Sequence, residues 1–441
     1  MPKLLLIQPS QYRGDGKTLV KQRKLHLPGL VFPLLGALTP RQWEVRVVLE
    51  VIEDIDYEWK PDLVGIGAMG HSIFRGIEIA REFRKRGATF VFGGLMASLV
   101  PQLLNDVADS VVFGDAEISF PKLLSDFESR GVLRPAYNLP VESLADLPTP
   151  RYGLLLNKRI GDMLPVQAGR GCNHTCTFCS IAAVYKHRYI SRSIEGVIRD
   201  IREVRRLGFK KFLLIDDNII SAPKYFLELC EAIAPEKMTW SSQCSISIAR
   251  DERLLKAAAE SGCKILSFGI ETIRQEGLAS LNKEWMTTDD HATLLDRVAS
   301  YGILPSTEMM FGLDGDTEES IDETVNFVIN NRLPIPRFYV MTPIPGTGLF
   351  EQYKRDGRLL HENFEQYTGY HCVHEPKNIS SARLDEKYNL LNRRIYSFWN
   401  ILRRTIFNRH ILKNPWAYIF AFFVNLSYNS HIRRHDIPVV F

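Results

Sequence analysis

Short apolar runs alternate with amphipathic helical stretches along most of this chain, and this alternation constrains the fold more than any other feature. Five such runs precede residue 115, namely "KLLLIQP", "WEVRVVLE", "DLVGIGAMG", "ATFVFGG" and "DSVVFGD". Six more follow Leu164, namely "PVQAG", "KFLLIDD", "TWSSQCSI", "KILSFGIE", "PSTEMMFG" and "RFYVMTP". Continuous apolar strands joined by helices are typical of parallel sheets that are covered on both faces. The pattern therefore predicts an α/β protein.

The first series predicts a doubly wound, Rossmann-like domain over residues 1–135. Within it, "SIFRGIEIAREFRKRG" is typical of an amphipathic helix with Ser72 as its N-cap and Gly87 at its end. Ligands of open α/β sheets bind beyond the carboxyl ends of the strands, and the last three strands end in glycines, which are Gly67, Gly70, Gly93, Gly94 and Gly114. Glycines that serve only tight turns are the alternative. No G-x-G-x-x-G follows the first strand, so a dinucleotide fingerprint is absent.

The second series predicts an open, partial (β/α)6 barrel over residues 161–365, with its active site at the carboxyl ends of the strands. Residues 136–160 carry three prolines and no periodicity, so they are predicted to be a linker. Residues 366–441 are predicted to be mainly helical.

Composition bounds the class of protein. The chain has 441 residues, of which 45% are hydrophobic and 24% charged, so it is globular and long enough for two or three domains. The formal net charge of +4 does not indicate a nucleic-acid partner. Seven cysteines in this length are no disulfide framework, and Gln8 and Pro9 interrupt the first apolar run, so no signal peptide is expected. We therefore expect a cytoplasmic protein.

Three of the cysteines, Cys172, Cys176 and Cys179, lie within "GCNHTCTFCS" on a loop after the first strand of the second series. A structural zinc site closes four ligands, and within this loop only His174 offers a fourth. The other cysteines are dispersed through apolar segments, at Cys230, Cys244, Cys263 and Cys372. A cubane iron–sulfur cluster also takes four ligands, so three thiolates leave one iron open to a substrate or cofactor. Zinc and an iron–sulfur cluster both remain open at this point.

The C-x3-C-x2-C spacing on such a loop resembles the signature of the radical SAM superfamily. The resemblance implies that the three cysteines hold a [4Fe–4S] cluster, to which S-adenosylmethionine (SAM) binds. The later strand ends resemble the family in the same order, as "LLIDDN", "WSSQCS", "FGIET" and "MTPIPGTGLF". The SAM-binding residues implied by these matches are Phe178, Asp216, Asp217, Asn218, Gln243, Gly269 and Glu271.

The front domain resembles the cobalamin-binding domain that precedes the barrel in one large subclass of this superfamily. The segments "PDLVGIGAM", "VVFGGLMAS" and "VVFGDAEISFPKLL" match three loops that face cobalamin there. The residues implied are Met69, Gly70, His71, Gly93, Gly94, Ser98, Gly114 and Glu117. Two departures stand out: the motif D-x-H-x-x-G is missing, and Leu95 and Met96 follow the glycine pair where the subclass often has "GG-x-H". The missing D-x-H-x-x-G motif implies that cobalamin binds without a histidine as the lower ligand of cobalt. Met69 or a neighbouring residue would then lie below the cobalt. A histidine ligand from His71 would contradict this expectation.

The resemblance implies an enzyme that cleaves SAM and, with cobalamin, methylates an unactivated carbon of a hydrophobic substrate such as an isoprenoid lipid or a tetrapyrrole. An external one-electron reductant of the flavodoxin or ferredoxin type is the implied partner. Two alternatives stay open, namely a radical SAM cyclase or oxidoreductase of the same architecture and a corrinoid or iron–sulfur sensor without turnover. Because no cysteine precedes Cys172, a methylthiotransferase with a second cluster in its front domain is not expected.

The C-terminal region carries the remaining signal. Apolar residues at alternating spacings of four and three predict an amphipathic helix, and they are Leu384, Tyr388, Leu391, Ile395, Phe398 and Leu402. The run "PWAYIFAFFVNLSY" (415–428) is too short to cross a bilayer. Residues 401–441 also contain one acid, Asp436, against the basic residues Arg403, Arg404, Arg409, Lys413, Arg433 and Arg434. Two interpretations stay open: peripheral membrane contact, and packing against the barrel or in a dimer.

Overall fold

This computed structural model describes residues 1–13 and 16–433, and the chain divides into two units. The first unit contains residues 1–166 and 195–209, and the second contains residues 167–194 and 210–433. The predicted boundaries at 135, 160 and 365 stay predictions.

The first unit is built on a six-stranded parallel sheet with the order β2-β1-β3-β4-β5-β6. Its strands are β1 (Lys3–Gln8), β2 (Glu44–Leu49), β3 (Leu63–Gly67), β4 (Thr89–Gly93), β5 (Ser110–Val112) and β6 (Ala136–Tyr137). The five strands expected before residue 115 are confirmed, and their apolar runs are buried, as in residues 4–7. Strand β6 is an addition at the sheet edge, where the sequence predicted only linker, because two residues show no alternation.

Four helices of this unit are α1 (Val31–Leu38), α2 (Ser72–Arg84), α3 (Leu95–Leu99) and α4 (Ala116–Arg130). The N-cap predicted for α2 is wrong, because the helix begins at Ser72 itself and His71 occupies the N-cap position. The Ser72 hydroxyl instead donates to the Met69 carbonyl at 2.8 Å. The predicted end is close, since α2 stops at Arg84 and Gly87 follows with φ +80°.

The strand order places a topological switch point at β1. The chain runs from β1 to β2 on one side and then returns to β3 on the other side of β1. Ligands of open parallel sheets bind outside the carboxyl edge near such a reversal. The loops that follow β3, β4 and β5 all leave from this edge, so the glycine-rich segments predicted to face cobalamin share one side of the sheet.

The second six-stranded sheet has the order β14-β13-β12-β11-β10-β7, and the pairings from β10 to β14 are parallel. Its strands, with the antiparallel hairpin β8–β9, are β7 (Met163–Gln167), β8 (Gly169–Gly171), β9 (Tyr189–Ser191), β10 (Lys211–Ile215), β11 (Thr239–Gln243), β12 (Cys263–Glu271), β13 (Leu304–Phe311) and β14 (Ile335–Val340). All six strands expected after Leu164 are confirmed, and neighbours in the chain are neighbours in the sheet, as an open (β/α)6 barrel requires.

Helices separate these strands as the sequence predicted, and one more helix follows β14. They are α5 (Ser180–Tyr185), α6 (Ile194–Arg206), α7 (Pro223–Ile233), α8 (Glu252–Glu260), α9 (Gln275–Ser280), α10 (His291–Ser300), α11 (Glu318–Asn330) and, after β14, α12 (Gly348–Arg355).

The C-terminal region forms α13 (Ser381–Ile395), α14 (Phe398–Arg404) and α15 (Pro415–Arg433). The single helix predicted through Leu402 is wrong, because the chain leaves helical conformation at Tyr396, whose hydroxyl donates to the Pro336 carbonyl of β14. One face of α15 packs against β13 and β14. Among residues 1–13 and 16–433, no helix is long and apolar enough to span a bilayer. Arg434 and Asp436 lie outside the described residues.

Candidate functional site

The cysteine loop starts from the hairpin β8–β9. Gly171 ends β8 with φ +82°, and a Cβ added there would lie 2.0 Å from the Arg188 carbonyl oxygen of the opposite side of the hairpin. Only glycine fits this close approach of two backbones. The hairpin therefore determines the direction in which the segment from Cys172 to Cys179 leaves the sheet.

Contacts from distant elements hold the middle of the loop. The Thr177 N–H donates to the Leu281 carbonyl at 3.1 Å, and the Thr177 carbonyl accepts from the Leu349 N–H at 2.9 Å. Phe178, predicted to contact SAM, is partly buried against an apolar cluster that includes Leu281, Leu349 and Met341. Its side chain anchors the loop in the protein.

Two of the three thiols, Cys176 and Cys179, lie in surroundings that disfavour the free thiolate. The pKa of Cys176 is raised to about 11, mainly by burial; Lys283 opposes the rise, and the negative charges of Cys179, Glu271 and Cys172 contribute to it. Burial also raises the pKa of Cys179, although the N–H groups of α5 favour its thiolate. An iron–sulfur cluster replaces the thiol protons by iron, so bound iron relieves the cost that burial imposes on the thiolates.

The donor set fits a cluster better than a single zinc ion. His174, the one candidate for a fourth zinc ligand in the loop, stacks on Trp285 with ring centroids 3.8 Å apart and planes inclined by 5°. In the described part of the chain, no three or more His, Cys, Asp or Glu side chains converge on a single ion site. A cubane cluster distributes three thiolates over three irons and needs no such convergence.

The turn after β10 braces both the hairpin and the first cysteine. Asp217 accepts from the Gly171 N–H at 2.7 Å, and the Asn218 amide nitrogen lies 3.6 Å from Cys172 Sγ, to which it donates. Asp216 points inward, where it accepts from the Tyr189 hydroxyl at 2.7 Å and from the Asn218 N–H at 2.9 Å. It is only 2% exposed, and burial raises the pKa of its carboxyl to about 7.

The predicted SAM-binding residues therefore fall into two groups, those whose side chains point into the protein and those at the exposed ends of the strands. Asp216 and Asn218 are buried and use their side chains within the protein, so they position the turn. Gln243 is exposed at the end of β11, and its side-chain amide donates to the Asp216 carbonyl at 2.9 Å. Gly269 has no room for a side chain, since an added Cβ would lie 2.4 Å from Glu271 Oε1.

Lys283 is a site residue that the sequence did not predict. Its ammonium lies 2.6 Å from Glu271 Oε1 and donates to the Gly269 carbonyl at 2.7 Å. Both side chains of the pair are 8% exposed, and Glu271 has the left-handed φ of +58° at an irregularity of β12. Burial raises the pKa of Glu271, and Lys283 works against this rise. Lys283 lies on the loop after α9, where a lone lysine gives no pattern that the sequence could reveal.

The predicted cobalamin loops of the first unit are joined to one another. The Ser98 hydroxyl accepts from the Gly114 N–H at 2.9 Å and lies 3.2 Å from the Gly94 carbonyl, to which it donates. Gly94 has φ +101°, and an added Cβ would lie 2.7 Å from the Ala68 carbonyl oxygen. Backbone rather than side chains thus forms the surface where the loops after β3 and β4 meet.

The remaining predicted cobalamin residues flank this surface. Met69 is 76% exposed, and Gly70 has φ +53° beside it. Burial lowers the pKa of His71, whose Nε2 is buried without a hydrogen-bond partner among the described residues. Gly93 ends β4, and Glu117 lies in the first turn of α4.

Comparisons with known proteins agree with this arrangement. Residues 166–328 match the family described as the Radical SAM superfamily. The chain is 27% identical over 412 residues to bacteriochlorophyllide d C-12(1)-methyltransferase of Chlorobaculum tepidum, covering 91% of this chain and 89% of that protein. It is 29% identical over 403 residues to the C-8(2)-methyltransferase of the same organism, covering 86% and 88%.

A solved structure shares the fold. Radical S-adenosylmethionine methyltransferase TsrM from Kitasatospora setae, with cobalamin and a [4Fe–4S] cluster bound, superposes with a TM-score of 0.66 at 19% identity, covering 81% of this chain and 78% of that one. The matched segment begins at β7 and contains the three cysteines, the turn after β10 and Glu271. The similarity to the radical SAM superfamily therefore covers residues 166–328, the part of the chain that holds the thiol loop.

Proposed function

We propose that this protein is a cobalamin-dependent radical SAM C-methyltransferase whose substrate is a hydrophobic tetrapyrrole. The observation that carries the proposal is the extent of the likeness to two methyltransferases of bacteriochlorophyllide d. It covers 91% and 86% of this chain, so it extends well beyond the superfamily segment 166–328 and includes the front unit. An isoprenoid lipid substrate is the alternative within the same reaction class.

Cys172, Cys176 and Cys179 are the proposed ligands of a [4Fe–4S] cluster. When bound, such a cluster supplies the electron that cleaves SAM and an iron position to which SAM binds. Asn218 donates to Cys172 Sγ, and hydrogen bonds to cluster sulfurs tune a reduction potential. Asp217 holds Gly171, and Phe178 holds the loop end in the apolar cluster, so the thiols are positioned before any cofactor binds.

Gln243, Gly269 and Glu271 are the proposed SAM-binding residues, at the ends of the adjacent strands β11 and β12. Glu271 is the acidic group best placed to accept from SAM, because its carboxylate is kept in a defined position by Lys283. Asp216, Asp217 and Asn218 act on the site by shaping the turn after β10. Phe178 acts by anchoring the cysteine loop.

The front domain, residues 1–135, is the proposed cobalamin site, followed by a linker to residue 160, the radical SAM core at 161–365 and the helical region from 366. The joined loops described above would provide the backbone surface for cobalamin, through Met69, Gly70, His71, Gly93, Gly94, Ser98, Gly114 and Glu117. Cobalamin supplies a methyl group for transfer when it is bound. Gly94 and Gly114 leave the approach to this surface free of side chains.

The test is product analysis of the full-length protein, reconstituted without oxygen with iron, sulfide and cobalamin, and supplied with SAM, a low-potential reductant of the flavodoxin type and bacteriochlorophyllide d. We expect 5′-deoxyadenosine, S-adenosylhomocysteine and a pigment heavier by one methylene group. 5′-Deoxyadenosine without S-adenosylhomocysteine or methylation would favour the cyclase or oxidoreductase alternative. No SAM consumption would favour the sensor.

Cysteine variants provide the matched control. Cys172→Ala should lose about four irons per chain and all 5′-deoxyadenosine, because the loop then lacks one of three ligands. Cys230→Ala removes a buried thiol from α7, away from the loop, and should keep both. Iron content equal to the parent in Cys172→Ala would contradict the proposed cluster site.

A further inference from the structure

Helix α15 is apolar on two opposite faces. Its inner face is buried through Tyr418, Ala421, Asn425 and Tyr428, at spacings of three and four residues. Its outer face presents Trp416, Phe420 and Phe423, at spacings of four and three, and these side chains are 81%, 47% and 62% exposed. A surface helix of a globular protein normally turns polar residues outward, so this outer face is built for apolar surroundings.

The outer face continues onto α14. Phe398 and Trp399 begin that helix and are 49% and 74% exposed. Between ring centroids, Phe398 lies 5.9 Å from Trp399 and 6.5 Å from Phe422, and Phe422 lies 5.5 Å from Phe423, so the rings of α14 and α15 are connected through Phe422. We call Phe398, Trp399, Trp416, Phe420 and Phe423 the aromatic ridge. A contiguous exposed patch of this kind marks an interaction surface rather than isolated surface residues.

The segment that carries the aromatic ridge has charges of one sign, and two of its basic residues pair with acids of other helices, Arg409 with Asp296 and Lys387 with Asp322. From Lys387 to Arg433 the sequence contains no Asp or Glu, and its basic residues are Lys387, Arg393, Arg394, Arg403, Arg404, Arg409, Lys413 and Arg433. Arg404 is buried. Arg403 and Lys413 are exposed, close in sequence to the ridge residues Trp399 and Trp416.

This charge argues against a second copy of the chain as the occupant. A two-fold symmetric contact places the same patch on both sides, so it would bring the basic residues of one copy towards those of the other with no acidic residue of this segment between them. The partner that fits the aromatic ridge and its basic residues has an apolar layer bordered by negative charge. A membrane surface with anionic lipids has both properties.

We infer that the aromatic ridge docks this protein on the surface of an anionic membrane. Tryptophan side chains prefer the boundary between headgroups and acyl chains, and basic residues near an inserted apolar face attract anionic lipid. Helix α15 would lie in the plane of the surface, because its inner face is occupied by β13 and β14. This inference is independent of the proposed reaction.

The test is co-sedimentation of the reconstituted full-length protein with vesicles of phosphatidylcholine alone and with vesicles containing phosphatidylglycerol. We expect binding to the anionic vesicles at low salt, weaker binding at high salt because screening reduces the attraction, and little binding to phosphatidylcholine alone. Protein that stays in the supernatant with anionic vesicles at low salt would overturn the inference. Equal binding to both kinds of vesicle would overturn it too.

Substitutions locate the contact. The triple variant Trp416→Gln, Phe420→Gln, Phe423→Gln should weaken partitioning into anionic vesicles about tenfold or more. The matched control, Val132→Gln, Leu139→Gln, Leu360→Gln, changes three apolar residues that are also exposed but lie elsewhere, and should bind as the parent. Thermal unfolding of both variants checks that the fold is kept.

Two further measurements separate the occupants. Arg403→Glu with Lys413→Glu should reduce binding to anionic vesicles while leaving thermal unfolding near that of the parent. Sedimentation velocity over a range of concentrations tests self-association. A dimer that the ridge variant abolishes, together with unchanged vesicle binding, would assign the ridge to a second copy and refute the membrane site.

Discussion

At the scale of single residues, the pair formed by Lys283 and Glu271 shows how much of the site depends on buried charge. Each side chain is 8% exposed, and their charged atoms lie 2.6 Å apart. Removing both charges from water is costly, so such a pair adds little stability as a whole. Removing one partner is a different matter, because the other charge then stays buried without compensation.

We predict that Lys283→Met destabilises the protein by about 3–5 kcal/mol, because Glu271 is left buried and unpaired. The double variant Glu271→Gln, Lys283→Met should recover most of this loss. Lys256→Met is the matched control, since Lys256 pairs with Glu260 at 3.8 Å on the surface. It should change stability by about 1 kcal/mol or less. Urea unfolding followed by circular dichroism measures all three, and equal losses in the two single variants would contradict the prediction.

His374 is a buried group that makes stability depend on pH. Its Nε2–H donates to the Gly312 carbonyl at 2.9 Å, and Tyr353 packs beside the ring. Burial lowers the pKa of His374 from 6.5 to about 4, with Arg358 adding to the effect and Asp314 and the Gly312 hydrogen bond opposing it. The unfolded chain therefore binds a proton at a higher pH than the folded chain does.

The sign of the effect follows from this order of pKa values. Stability from the neutral ring is fully present above pH 6.5 and is lost as the pH falls towards 4, by up to about 3 kcal/mol for this one group. His374→Gln removes the titrating ring, so the variant should lose less stability than the parent between pH 7 and about 4.5. The exposed His26→Gln is the control and should follow the parent. Parallel stability curves for His374→Gln and the parent would refute the assignment.

At the scale of elements, the hairpin β8–β9 carries the cysteine loop. Its two short strands pair through three residues each, from Gly169 with Ser191 to Gly171 with Tyr189. The approach of Gly171 to the Arg188 carbonyl leaves no space for a Cβ, and the left-handed φ disfavours any other residue. A single methyl group added at Gly171 is therefore expected to disturb the hairpin.

We predict that Gly171→Ala lowers the iron bound after reconstitution to less than about half of the parent value, because the hairpin must open where the cysteine loop begins. Gly208→Ala is the matched control, since Gly208 has φ +91° but an added Cβ meets nothing within 4 Å. The control should lose about 1 kcal/mol of stability from backbone strain and keep its iron. Iron and sulfide assays of both variants decide between a general glycine effect and a local one.

At the scale of the whole molecule, the proposed reaction needs cobalamin in the first unit, and one of the residues proposed to face it is a histidine, His71. The Nε2 of His71 is buried without a partner among the described residues, and burial lowers the pKa of this imidazole. A neutral imidazole is able to ligate cobalt. The missing D-x-H-x-x-G motif predicts no histidine ligand, whereas the unpartnered Nε2 makes His71 the residue to test for that role.

We predict that cob(II)alamin binds without a histidine ligand, so its electron paramagnetic resonance spectrum should show no nitrogen splitting on the cobalt lines. His71→Ala should leave this spectrum unchanged. Nitrogen splitting in the parent that disappears in His71→Ala would identify His71 as the lower ligand. Failure of the parent to take up cobalamin would move the function to the cyclase or oxidoreductase.

Local patterns were enough to predict much of this molecule. Strands such as β1, β3 and β4 are apolar runs bounded by turn residues, and burial follows from the run itself. The cysteine spacing is likewise a local property, and it led to the superfamily that residues 166–328 match. The order of the strands in the sequence also predicted that Gln243 and Glu271 lie close together. They end consecutive strands, and neighbouring parallel strands have their carboxyl ends at the same edge of the sheet.

Which side chains face one another became visible only in the folded chain. Lys283 meets Glu271 across twelve positions of the chain, Asp216 turns inward to Tyr189, and Phe178 enters an apolar cluster. Helix α13 ends after Ile395, and the hydroxyl of the next residue, Tyr396, donates to the Pro336 carbonyl of β14. A contact of this kind cannot be predicted from the spacing of apolar residues in a helix. The strands, the thiol loop and the resemblance to the radical SAM superfamily could be predicted because they depend on neighbouring residues. Charge pairing, orientation and the exposed face of α15 depend on contacts between distant residues, which exist only in the folded chain.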